Sequence, residues 1–142
     1  MPLENFGSIL NFAEELESQD EAFYTSLTGN PACAQHKELF EQFAADGRKN
    51  IKTVQRTRRE NVTEMILEPI KDFTRGPFCE ECRGADTVSA AEALDAARKL
   101  EERSERYYTT AALKIKALPE VSRALKTIGK NHTAHLKKLN EL

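Results

Sequence analysis

The chain has 142 residues, with 21 Lys and Arg against 23 Asp and Glu and a formal charge of −2. That length suits one domain around one core, and the near-balanced charge leaves no footprint for nucleic acid or an anionic membrane. No apolar run approaches the roughly 20 residues of a membrane span, and "MPLENFGSILNF" carries no basic n-region, so a cytoplasmic protein is expected.

Trp is absent, Gly numbers only 6 and 31% of residues are charged, a composition that suits long helices. The first helix is expected over about residues 3–28, with an inward stripe of Phe6, Leu10, Ala13, Glu17, Asp20, Tyr24 and Leu27 at alternating steps of four and three. It stops at "TGNP", where Gly29 and Asn30 end one helix and Pro31 can begin the next. The second helix is expected over about 31–58, with His36, Phe40, Phe43, Gly47, Asn50 and Val54 on its stripe. The pattern then dissolves into a connection over about 60–88 that holds Cys79 and Cys82 in "CEEC". A connection of that length is uncommon in a compact domain.

The third helix is expected from Ser89, a good cap, with Ala90, Leu94, Ala97, Glu101, Ser104, Tyr108, Ala111 and Ile115 facing inward. After the tight "ALPEV" turn the fourth carries Val121, Leu125, Ile128, His132, His135, Leu139 and Leu142. Two short hairpins joined by one long crossing predict an all-α, four-helix bundle in a single domain over 1–142, with the second and third helices parallel.

Two glutamates and two histidines stand among the core positions of these stripes: Glu17, Glu101, His132 and His135. A carboxylate is almost never buried without a partner or a metal. The stripes also repeat. Glu17 falls on Glu101, Asp20 on Ser104 and Tyr24 on Tyr108 at an offset of 84, and Gly47 falls on His132 and Asn50 on His135 at an offset of 85. One helical hairpin used twice would pack about a pseudo-twofold axis and bring these positions to one level.

"ESQDEAFY" and "EERSERYY", each with a Glu seven residues before a Tyr, together with "DGRKN" and "NHTAH" where a Glu-x-x-His would stand, resemble the ferritin-like superfamily and its rubrerythrin-type proteins. The resemblance spans nearly the whole chain as a helix pattern and implies a ferritin-like bundle with a long crossover. Such proteins hold two irons on a Glu from each of two helices and a Glu-x-x-His from each of the others. By that resemblance Glu17 and Glu101 match the single glutamates, and His135 the histidine of the fourth helix. Gly47 and Asn50 depart from the Glu-x-x-His of the second helix, and His132 replaces the other bridging glutamate.

The expectation is therefore one Fe, Zn or Mn ion on Glu17, Glu101, His132 and His135, not a normal di-iron centre, in a protein of redox or iron and oxidant-defence chemistry. The alternative is a metal-free bundle in which the four groups bond to one another, serving binding or assembly. Asp20 and Asp46 are the nearby acids that would replace a lost ligand, although Asp46 sits one residue off the stripe and reads as a solvated or partly buried acid. His36 reads as a packed or surface histidine and Cys33 as a buried small residue. "CEEC" reads as two free thiols, a redox dithiol or half of a zinc site. The basic "KTVQRTRRE" reads as a solvated helix end. The expected partners are a second copy, as a homodimer, and a redox partner protein.

Overall fold

The computed structural model describes residues 6–60, 73–78 and 88–141. These residues are helical throughout their regular structure: α1 spans Phe6–Thr28, α2 Lys37–Glu60, α3 Ala90–Lys114 and α4 Pro119–Asn140, with 3-10 turns over Pro31–His36 and Gly76–Phe78. Among them no helix is long and apolar enough to cross a membrane. Of the crossover expected over about 60–88, residues 61–72 and 79–87, including Cys79 and Cys82, lie outside the described residues.

Local chemistry sets the ends. Asn30 caps the turn after α1, its side chain accepting from Ala32 N at 2.9 Å while its Nδ2 donates to the Val88 carbonyl at 2.8 Å. The following turn closes as a 3-10 helix, so the α-helix begins at Lys37 and not at Pro31. Ser89 caps α3 as expected, Oγ accepting from Glu92 N at 3.2 Å. Pro119 opens α4 at a position where a missing N–H costs nothing.

α1 packs on α2, and α3 on α4. The helix directions follow from named contacts. Glu14 meets Gln55 and Glu21 meets Arg48, so α1 and α2 are antiparallel. Ile9 meets Tyr107 and Tyr24 meets Glu101, so α1 and α3 are antiparallel as well, and α2 and α3 point the same way.

The apolar interior is divided in two. Ile9, Phe12, Leu16, Val54, Tyr107, Ala111, Leu125 and Ile128 belong to one cluster. Phe23, Leu27, Phe40, Phe43, Ala97, Leu100 and Leu139 belong to the other. Each helix passes from one cluster to the other through buried polar residues: Glu17 and Asp20 on α1, Asn50 on α2, Glu101, Arg103 and Ser104 on α3, His132 and His135 on α4. A polar layer inside a core survives only if its groups are paired.

Candidate metal centre

Glu17, Glu101, His132 and His135 meet in that layer. Glu17 and Glu101 are fully buried, and His132 and His135 nearly so. The His132 ring lies between the two glutamates, its Nε2 2.5 Å from Glu17 Oε1 and its Nδ1 2.5 Å from Glu101 Oε2. His135 places Nδ1 3.1 Å from Glu101 Oε1 and Nε2 2.7 Å from Asp46 Oδ2. Both rings are held face-on, His135 by Phe43 at 4.0 Å between centroids and His132 by Tyr108 at 5.5 Å.

Two tyrosines complete the carboxylates. Tyr24 donates to Glu101 Oε1 at 2.7 Å, and Tyr108 donates to Glu17 Oε1 at 2.9 Å. Asn50 Nδ2 is 3.4 Å from Glu17 Oε2, and Asn131 Nδ2 donates to Asn50 Oδ1 at 3.1 Å. The internal repeat is visible in these contacts. Tyr24 with Glu101 maps onto Tyr108 with Glu17, and Asp46 with His135 maps onto Asn131 with Asn50.

Beside the layer, Arg103 is fully buried. Its guanidinium donates to Asp20 Oδ1 at 2.5 Å, to Gln19 Oε1 at 2.9 Å and to the Phe78 carbonyl at 3.3 Å, and Ser104 Oγ donates to Asp20 Oδ2 at 3.2 Å. The Gln19–Arg103 and Asp20–Ser104 pairs are each 84 residues apart, the offset of the repeat, so residues equivalent in the two halves touch.

Electrostatics follows from burial and pairing. Burial alone would lower the His132 imidazole, but Glu17 and Glu101 on its two nitrogens outweigh it and hold it well above the ordinary value. His135 is raised in the same way, burial opposing and Glu101 and Asp46 prevailing. Glu101, which burial would raise, is brought down to about 2 by the two histidines. Burial pushes the Asp20 carboxyl up to about 7, with Arg103 pulling against it. An ionised carboxylate only accepts, so in metal-free protein a ring with carboxylates on both nitrogens is an imidazolium.

The donor set does not suit two irons. Gly47 brings no ligand, the Asn50 amide is engaged with Glu17 and Asn131, and Asp20 is engaged with Arg103 and Ser104. One ion fits better. Glu101, His132 and His135 bring ligand atoms within 4.8 Å of one another, a two-imidazole, one-carboxylate set suited to Fe(II), Zn(II) or Mn(II). Glu17 groups separately, with Asp20 and His132. The four expected ligands thus share one network but divide between two sets with His132 in common.

The sequence singles out Asp46, as a solvated or partly buried acid, but not Arg103, and the structure brings both to the network. Asp46 is half-buried and pairs with His135, one position off the α2 stripe. Arg103 lies beside the Ser104 stripe position, and its residue type and place off the stripe gave no sign of its full burial. Gly47, read as a lost bridging carboxylate, also lies at a close approach of two helices, where a Cβ would stand 3.3 Å from Glu21 Cβ. Cys33 is buried, and His36 is half-buried against Phe40.

Compared with known protein families, curated proteins and solved structures, the chain matches none.

Proposed function

We propose that this chain is a ferritin-like, rubrerythrin-type bundle, with a crossover over about 60–88, that binds one Fe, Zn or Mn ion through Glu101, His132 and His135. Glu17 then belongs to the outer shell. The observation that carries this is the double engagement of each histidine. Both turn Nδ1 toward the same glutamate, and both give Nε2 to another carboxylate, Glu17 for His132 and Asp46 for His135. A histidine that ligates a metal through one nitrogen characteristically donates the other N–H to a carboxylate, which fixes the tautomer and strengthens the ligand. Tyr24 orients Glu101 in the same manner.

Charge supports the exchange. Two imidazolium protons at the Nδ1 atoms carry the same charge as one divalent ion, so replacing them leaves the net charge of the layer unchanged. A bound iron would supply one-electron redox chemistry, and this chain's residues would bind it, orient it and shield it from water. The resemblance points to redox or oxidant-defence chemistry, with a redox partner protein and a homodimeric assembly as its setting.

A specific observation also favours the metal-free alternative, a non-catalytic bundle for binding or assembly. Every buried side-chain nitrogen and oxygen of the described polar layer has a hydrogen-bond partner within the protein itself, and the His132 imidazolium already neutralises one of the two glutamates. Elemental analysis of protein purified without chelators or affinity-tag metal, followed by zinc titration, separates the two. One retained or bound equivalent supports the metal site; none under metal-replete conditions supports the alternative.

A further inference from the structure

The α2–α4 face of the centre is open. A cavity of about 300 Å³ lies there, lined by Asp46, Lys49 and Asn50 from α2 and by Asn131, His135 and Lys138 from α4. Its lining reaches the polar layer at Asn50 and His135. Asp46 holds His135 Nε2, and Asn131 holds Asn50, which reaches Glu17. The cavity therefore touches both ends of the network that surrounds Glu101 and His132.

Its outer residues are cations. Lys49 and Lys138 are exposed and carry no ion pair among the described residues. In metal-free protein the His135 imidazolium offsets the Asp46 carboxylate, so that pair adds no net charge beside the lysines. Lys49 also lines a neighbouring cavity together with Lys52, Arg56 and Arg59, spaced three, four and three residues apart on one face of α2. On a chain with a net charge of −2 this is a local concentration of positive charge that ends at the cavity mouth. Cations of one sign lining a cleft with low-dielectric walls focus the field and raise the local concentration of anions.

We propose that this cavity admits a small oxyanion, drawn in along the α2 cations and held between Lys49 and Lys138 beside the Asn131 amide. The anion is bound and not transformed by these groups; that it serves as a ligand or substrate of the centre rests on the metal reading above. Size supports a small guest, since a volume of about 300 Å³ open to solvent holds a carboxylate or a phosphate with its waters.

The test is a titration followed in nitrogen–proton correlation spectra of the full chain, with formate and inorganic phosphate as probes, on metal-free and on zinc-treated protein. The expected result is saturable movement of the Asn131 and Asn50 side-chain amide signals, with affinity at least tenfold weaker in Lys49→Gln/Lys138→Gln. The control Lys126→Gln/Lys130→Gln, on the other face of α4, should bind as the unaltered protein does. Amide signals that do not move or do not saturate would overturn the proposal, as would a Lys49/Lys138 variant that binds equally well. Whether zinc binds is read separately, from the His132 and His135 ring signals. Rings unmoved by zinc would sink the metal reading while the anion titration still stood or fell on its own.

Discussion

Asp46 and His135 meet across α2 and α4, with Asp46 Oδ2 2.7 Å from His135 Nε2. The second histidine of "NHTAH" is thereby held at both ring nitrogens, one facing Glu101 and the other facing this acid. Asp46→Asn keeps the shape and removes the charge. Loss of such an outer carboxylate weakens metal binding about 10- to 100-fold, while helix content should stay unchanged. Competition against a chromophoric chelator measures the first, and circular dichroism the second.

The Arg103–Asp20 pair should behave as a buried ion pair. Arg103→Leu leaves the buried Asp20 with Ser104 but without its guanidinium, and breaking such a pair by removing one partner costs about 3–5 kcal/mol. Replacing both, Arg103→Met with Asp20→Leu, should recover most of that loss. Urea denaturation of the single and double variants gives both numbers.

Glycine positions provide a sharper packing test. Gly47→Ala gains about 1 kcal/mol of helix propensity, offset by a Cβ that meets Glu21 Cβ at 3.3 Å, an atom fixed by the α1 backbone, so that α1 and α2 must part by a few tenths of an ångström. It should be nearly neutral. Gly129→Ala meets Tyr108 Cβ at 3.1 Å, and Tyr108 is fully buried between Glu17 and the His132 ring. That change should destabilise by about 1–2 kcal/mol net, within the range for overpacking, and should also weaken metal binding. Thermal melts with and without zinc measure both effects.

The helices and the polar layer were legible because Glu17, Glu101, His132 and His135 break apolar stripes at core positions, and periodicity alone turns them inward. The caps at Asn30 and Ser89 were legible from residue type. What periodicity misses is the residue beside the stripe that reaches back into it. Asp46, read as a solvated or partly buried acid, reaches His135 on α4, and Arg103 reaches Gln19 and Asp20 on α1 through a long side chain. The 3-10 opening before α2 was also hidden, because an Asn cap and a proline can start either kind of helix.

Stability of metal-free protein should peak in mildly acidic solution. Glu101 is lowered from 4.5 to about 2, so its contribution is full above pH 4.5 and is lost as pH falls toward 2. His132 is raised above 6.5, so its contribution is full below pH 6.5 and is lost as pH rises through its higher folded value. Asp20, raised from 3.8 to about 7, costs stability progressively between those values and moves the optimum to the acid side. Denaturation midpoints between pH 3 and 9 trace the profile. Bound metal should flatten its alkaline side, because the ring protons that titrate there are gone.

Zinc stoichiometry separates one bound ion from two and from none. Isothermal titration of metal-free protein with zinc at pH 6, in buffers of different ionisation enthalpy, should give one equivalent bound, with release of about two protons as the ring Nδ1 atoms exchange protons for the ion. The melting temperature should rise with zinc by mass action, and His135→Ala should abolish both effects. Two equivalents at the bundle centre, or no heat and no shift in melting temperature at saturating zinc, would contradict a single ion held by Glu101, His132 and His135.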